Sequence, residues 1–232
     1  MLTRSVDLFL SLFSKFPSIA IHNLEKARIL KLIFWHLAVD GRQGDYIEFG
    51  VAQGNSLRAA LLANKSAKSK IIGVHPIERN FYGFDTFEGF STNTTIDKHA
   101  TWTGSKFNKN LSSVIRRFRK HPEVKLISVD VLNINHNPNF STKELKINAP
   151  AVILFDMDLY APTAAALLWA ETIIQQGTFL IFDEPFAFNG DSAKGEALAI
   201  KEFQERNPRI KFRNFATYGA GGTVYIVDMQ LS

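Results

Sequence analysis

The chain has 232 residues, enough for one domain with a single sizeable core. Its 46% hydrophobic and 21% charged content is that of a globular protein, and the absence of cysteine excludes disulfides, thiolate metal sites and cysteine nucleophiles and fits a reducing, cytoplasmic setting. The net charge of +5 allows an anionic partner, but the basic residues are scattered except for Arg116, Arg117, Arg119 and Lys120, which read as a solvated helix face and not as a nucleic-acid footprint.

Residues 1–16 predict a short amphipathic helix with Val6, Phe9, Leu10 and Phe13 on one face, ended by Pro17. Arg4, Asp7 and Lys15 interrupt it and no small-residue cleavage site follows, so neither a signal peptide nor a membrane span is expected. Asn23 reads as the cap of a second helix, Leu24–Val39. Core packing is the default use of these helices, with a homo-oligomer surface or a lid as alternatives.

Asp45–Leu57, DYIEFGVAQGNSL, predicts a strand (Tyr46–Phe49), a glycine turn (Gly50, Gly54) and a helix over Ser56–Ala63. Glycine serves where a backbone turns sharply or lets a ligand approach, and a helix start leaves free N–H groups facing that turn. Asn64–Lys70 reads as a polar loop. Of two short apolar runs that follow, Ile71–Val74 and Phe81–Phe84, the second is preferred as a strand because it delivers Asp85 to its end. Thr86–Phe90 is a turn and Ser91–Ser105 an aperiodic polar loop. Phe107–Lys120 reads as a helix, Val124–Val129 as a strand ending at Asp130, and Val131–Ala149 as a polar connection. Ala151–Phe155 is apolar at every position, as expected of a strand covered on both faces, and leads into Asp156 and Asp158. An alanine-rich helix, Ala161–Gln176, precedes the strand Thr178–Phe182, which ends at Asp183 and Glu184. Ser192–Arg206 is the next helix, and Ile210–Ala216 with Thr223–Val227 predicts a terminal antiparallel hairpin. Twenty phenylalanines point to a thick aromatic core.

This alternation predicts an α/β fold, a doubly wound, Rossmann-like, mostly parallel sheet with its ligand site beyond the C-terminal strand ends. Glu48, Asp85, Asp130, Asp156, Asp183 and Glu184 would all gather there, and such carboxylates repel one another unless cations or hydroxyl donors lie between them. Asp85 suits the two hydroxyls of a ribose, with a turn-forming role as its alternative. Asp130 suits an adenine amino group or a strand-end cap. The spacing E-x-G-x-x-x-G differs from the G-x-G-x-x-G of dinucleotide folds, and a carboxylate at Glu48 favours a cationic, amino-bearing ligand over a pyrophosphate. S-adenosylmethionine answers that description. The residues expected to bind it are Glu48, Gly50, Val51, Ala52, Gly54, Asn55, Ser56, Asp85, Thr86, Asp130 and Val131. Asp156, Asp183 and Glu184 read as an oxygen-only site for a hard cation such as Mg²⁺, or as strand-end caps and turns.

EFGVAQGNS, FYGFDTFEGF, FDMDLYAPTAAAL and GTFLIFDEP, in that order, resemble the macrocin O-methyltransferase family, from about Tyr46 to Phe203. The resemblance implies a class I methyltransferase, whose domain is expected over 41–232, and the two predicted helices over 1–40 are expected to form an extension or lid before it. It implies methylation of a sugar hydroxyl, with Glu48–Gly54 at the methionine end of the cofactor and Asp85 on its ribose. It also implies Mg²⁺ on Asp156, Asp183 and Glu184; the family's Asp-Asp-Tyr is here Asp183-Glu184-Pro185, and the proline that follows F-E-G-L is replaced by Phe90-Ser91. The expected reaction is metal-assisted transfer of a methyl group to a small-molecule hydroxyl, a sugar or another vicinal diol. Asp156, Asp158 and His99 are the candidate catalytic residues, the last two as general bases. The alternatives are a nicotinamide-dependent oxidoreductase, which would lack the third glycine, and a non-catalytic binding or assembly module. No membrane partner is expected.

Overall fold

The computed structural model describes residues 6–7, 10–11, 14–68, 77–89, 110–147 and 149–230. Seven strands form one sheet: β1 (Tyr46–Phe49), β2 (Phe81–Asp85), β3 (Val124–Ser128), β4 (Val152–Phe155), β5 (Phe179–Phe182), β6 (Ile210–Tyr218) and β7 (Gly222–Met229). Their order is β3-β2-β1-β4-β5-β7-β6. β1 to β5 pair in parallel, and β7 runs antiparallel to both β5 and β6. The chain reverses direction across the sheet between β1 and β4, and the crevice beyond their C-terminal ends is where such sheets bind ligands.

Side chains alternate between the two faces of a strand, and here that alternation builds the site. Phe49, Phe84, Phe155 and Phe182 stand in register on one face, with ring centroids 5.0 Å apart for Phe49–Phe84, 5.7 Å for Phe49–Phe155 and 4.8 Å for Phe155–Phe182. Trp169 closes edge-on over Phe49 and Phe84. Each such aromatic pair stabilises by roughly 0.5–1.5 kcal/mol beyond its buried area. The residue after each phenylalanine, Gly50, Asp85, Asp156 or Asp183, comes next in the alternation at the carboxyl edge. A one-residue slip would exchange rings and carboxylates, so the aromatic row fixes the register of the acidic one.

Helices α1 (Ser18–Val39), α2 (Asn55–Lys68) and α3 (Leu111–Phe118) pack with Tyr46, Phe81, Leu154 and Ile181 on one face. Helices α4 (Tyr160–Ala170) and α5 (Gly195–Arg206) cover the aromatic face. The helix α1 is part of this core: Ile29, Leu30, Ile33, Phe34 and Leu37 are buried. Its outward side exposes Leu24, Leu32, Trp35 and Val39. Among the described residues no helix is long and apolar enough to cross a membrane.

Several boundaries differ from those the sequence suggests. The helix α1 starts at Ser18, directly after Pro17, whose extended conformation opens it. Asn23 is therefore no cap; it lies inside the helix and its side-chain amide donates to the Ile19 carbonyl at 2.9 Å. The helix α2 continues through Asn64 to Lys68, where a loop was expected, because Asn64 and Ala67 lie on its buried side. Helix α4 ends at Ala170, before Gln176, and α5 begins at Gly195, after Ser192. The polar connection after β3 carries two short 3₁₀ turns, Val131–His136 and Pro138–Phe140. Ile71–Val74 and Ser91–Ser105 lie outside the described residues.

Candidate active site

The β1–α2 turn is built around two glycines with positive φ. Gly50 has φ +90°, and a Cβ there would stand 1.9 Å from the Asp156 carbonyl oxygen, so only glycine fits between β1 and β4. Gly54 has φ +74°, lies against the Phe118 ring and donates its N–H to the Val51 carbonyl at 2.7 Å. Asp85 then ties this turn to the next strand. One carboxylate oxygen accepts the Ala52 N–H at 2.8 Å and the other the Phe87 N–H at 2.6 Å. Ala52 itself is left-handed, φ 46°, a conformation that costs a non-glycine residue about 1 kcal/mol or more and is held here by that bond.

Glu48 lies one layer beneath the turn and is fully buried. Its oxygens accept from Tyr46 Oη and from Ser56 Oγ, both at 2.6 Å. Burial pushes its pKa up to about 8, against the lowering effect of those two hydroxyls. The carboxylate expected to face a ligand thus lies behind Ser56, and a pKa of about 8 leaves it mostly protonated at neutral pH. Asn55 Oδ1 and the Gln53 carbonyl each accept from Arg117 at 2.7 Å, so one member of the basic cluster braces this turn. Thr86 Oγ1 accepts the Glu88 N–H and donates to the Gly89 carbonyl, both at 3.1 Å, closing the β2 turn. Asp130 accepts from Leu132 N–H and Asn133 Nδ2, both at 3.1 Å, so it caps the 3₁₀ turn in which Val131 is buried.

The β4–β5 half of the edge contains groups that the sequence did not suggest. Lys26, buried on α1, donates to Asp156 Oδ2 at 2.8 Å and to Asp183 Oδ2 at 2.7 Å. His22, one helical turn earlier, lies 3.1 Å through Nε2 from both Asp183 oxygens. Tyr218, at the end of β6, donates to Asp183 Oδ1 at 2.5 Å. The Ala220 N–H donates to His22 Nδ1 at 3.1 Å, which puts the imidazole proton on Nε2, facing Asp183. Gly219 is required beside it: φ is +53°, and a Cβ would stand 2.3 Å from His22 Nδ1.

These contacts sort the charges. Burial alone would raise Asp183, but the His22 hydrogen bond and the Lys26 charge hold its carboxyl well below the usual carboxylate range. The bond to Asp183 raises the His22 pKa against the effect of burial. Burial would lower Lys26, and the charges of Asp156 and Asp183 outweigh it and raise it. Asp156, which shares Lys26 with a fully charged neighbour, is pushed up to about 7 by burial and by Asp183. Asp158 has a left-handed backbone, φ 63°, and burial followed by the charges of Asp156 and Glu184 pushes it well above the carboxylate range. A raised pKa makes the free carboxylate that a general base needs harder to form. His99 lies outside the described residues. Buried Glu196, on α5, accepts the Glu184 N–H at 2.9 Å and is likewise pushed up by its burial.

A cation at Asp156, Asp183 and Glu184 would have to enter an occupied space. The acceptor positions of Asp183 are taken by Lys26, His22 and Tyr218, and the Lys26 ammonium stands between the two aspartates. Ligand atoms of His22, Asp183 and Glu184 do lie within 4.8 Å of one another. Yet a neutral imidazole that accepts at Nδ1 carries its proton at Nε2, so His22 has no lone pair to offer. The donor set does not fit a divalent cation as it stands.

His22 and Lys26 were legible in one respect. They continue, at i and i+4, the stripe of Ile29, Leu30, Ile33, Phe34 and Leu37, a buried helix face that ends in two basic residues. Starting the helix at Asn23 cut His22 out of that stripe.

No protein-family model and no curated protein matches the chain. Solved structures do. It is similar to CalS11, a calicheamicin methyltransferase, with a TM-score of 0.66 and 19% identity, covering 86% of this chain and 77% of that one. NovP, an O-methyltransferase, gives 0.63 and 18% over 86% and 78%. An O-methyltransferase from Bacillus cereus in complex with SAH gives 0.53 and 15% over 86% and 80%. The fold is the Rossmann-like methyltransferase fold. Its antiparallel β7, inserted between β5 and β6, also separates it from the 3-2-1-4-5-6 dinucleotide sheet that an oxidoreductase would use.

Proposed function

We propose that this chain is an S-adenosylmethionine-dependent O-methyltransferase acting on a hydroxyl of a small molecule, a sugar or another polyol. One observation carries the reading: the β1–α2 turn, closed onto Asp156 through Gly50 and onto β2 through Asp85, brings a helix start and the carboxylates of Asp85 and Asp156 together at the C-terminal ends of β1, β2 and β4. The fold it shares with O-methyltransferases, one of them a calicheamicin methyltransferase, supports the same reading.

The residues fit the cofactor. The N–H groups at the start of α2 would take its carboxylate, and Asp85 would accept from its ribose while keeping its two backbone donors. Asp130 caps the 3₁₀ turn that follows β3 and would shape the adenine edge from there. When bound, S-adenosylmethionine supplies an electrophilic methyl: the acceptor oxygen forms the new C–O bond, the C–S bond breaks with its electrons going to sulfur, and the hydroxyl proton leaves. Asp156 is the group to receive that proton. It is the more exposed of the two aspartates, with 23% of its side chain accessible against 6% for Asp183, and its pKa of about 7 suits a base at neutral pH. Asp183, His22, Lys26 and Tyr218 hold it in place.

Incubation with S-adenosylmethionine and a panel of sugars, glycosides and aromatic diols, followed by mass spectrometry, tests this. Acceptor-dependent formation of S-adenosylhomocysteine and a product heavier by one methylene is expected. Cofactor binding without transfer to any hydroxyl would favour a non-catalytic module.

A further inference from the structure

We propose that the ammonium of Lys26 takes the place of a divalent cation in this site, so that methyl transfer needs no metal and engages the acceptor through one hydroxyl instead of a chelated pair. This rests on the methyltransferase reading above. The geometry is that of a bridging cation: one nitrogen lies 2.8 Å from Asp156 and 2.7 Å from Asp183, at the ends of adjacent parallel strands. The charge that two neighbouring carboxylates require is thus supplied from α1, by a residue whose stem runs in the buried stripe that anchors that helix. A divalent ion added beside it would meet like-charge repulsion in a water-poor setting, where such repulsion is strongest. It would also find Asp183 saturated and His22 without a lone pair.

An ammonium and a metal ion do different work. A metal has open coordination positions on which two oxygens of a diol can be held together. Lysine offers N–H donors and no such positions, and two of its three protons already point at carboxylates. What remains for the acceptor is the partly exposed carboxyl of Asp156, which takes one hydroxyl. Lys26 is a positioning residue: it fixes Asp156 and Asp183, and through them the acceptor. An isolated hydroxyl should therefore serve as well as one member of a vicinal pair.

Metal binding can be read without turnover. In the wild-type protein, Mn²⁺ followed by electron paramagnetic resonance, and Mg²⁺ followed by melting temperature, should show no specific binding up to millimolar ion, and any methyl transfer should survive chelator. Lys26→Ala removes the ammonium and opens the space between the carboxylates, so Mg²⁺ should raise its melting temperature by several degrees. Lys26→Met fills that space without charge and should stay indifferent to the ion. Micromolar Mn²⁺ binding to the wild type that Asp183→Asn abolishes would overturn the proposal, as would a folded Lys26→Ala protein that ignores Mg²⁺. Should neither lysine variant fold, the wild-type titration alone decides. Calorimetry with S-adenosylmethionine on the same samples keeps the two readings apart, since loss of cofactor binding would remove the methyltransferase assignment and leave the metal result intact.

Discussion

On the β1–β2–β3 side of the sheet edge, the carboxylates are satisfied mostly by groups near them in the chain. Glu48 is bonded by Tyr46 and Ser56, two and eight residues away, and Asp130 by Leu132 and Asn133, two and three away. On the β4–β5 side the partners are remote: Lys26 lies 130 residues from Asp156 and 157 from Asp183, and His22 lies 161 from Asp183. The first half is satisfied by hydroxyls, a side-chain amide and backbone N–H groups, the second by the Lys26 ammonium and the His22 imidazole of a helix that precedes the sheet. Remote satisfaction welds α1 to the ends of β4 and β5.

Substitutions that touch the two halves should therefore fail differently. The largest effect is expected for Asp183→Ala, which strips His22 and Tyr218 of their acceptor and takes one of two carboxylates from Lys26. Breaking a buried pair from one side costs roughly 3–5 kcal/mol, so chemical denaturation should register a loss of that size. A loss below about 1 kcal/mol would mean that the cluster is wetter and weaker than its geometry implies.

Next comes Glu48, through pH. Its folded pKa of about 8 lies above the ordinary value of 4.5, so the stability it contributes is full below that ordinary value and disappears as pH rises through about 8. Asp156, pushed up to about 7, adds to the same trend, while Asp183, held low, contributes only above its ordinary value and loses that share on acidification. The cofactor-free protein should thus lose stability between about pH 5 and pH 9. Glu48→Gln should flatten part of that slope and gain roughly 2–4 kcal/mol at the alkaline end, read as a higher melting temperature. An unchanged slope would show that Glu48 is not protonated in the folded state.

Smaller effects separate binding from capping. Asp85→Ala should weaken S-adenosylmethionine at least tenfold, about 1.4 kcal/mol, because a ribose partner and the tie to Ala52 go together. Asp130→Ala should cost about 1 kcal/mol of stability, the usual value of a cap, with little change in affinity. Equal losses of affinity in the two variants would erase the distinction drawn between them.

Most strands of the parallel sheet were legible because β1, β2, β4 and β5 are short, largely apolar runs followed or closed by an acidic residue or a glycine. Phe155-Asp156 and Phe182-Asp183 announce both the core and its edge. The turn at Gly50 was legible for the same reason, since a close backbone approach leaves glycine as its mark. Helix ends were less so: Pro17, and not Asn23, opens α1, and Asn64 continues α2 on its buried side. Lys26 and Tyr218 were invisible as site residues because nothing local connects them to Asp183. A tyrosine at a hairpin tip and a lysine in a helix acquire their meaning only when β6 and α1 meet over the end of β5. The sequence reading of Asp156, Asp183 and Glu184 as a metal site was made without that contact, since acidic neighbours call for a cation and Lys26 lies 130 and 157 residues from the two aspartates it touches.

Isothermal titration of S-adenosylmethionine into the wild-type protein, in buffer containing a metal chelator, tests the central claim most directly. Saturable binding at one site per chain is the predicted result. No binding at millimolar cofactor would contradict the assignment.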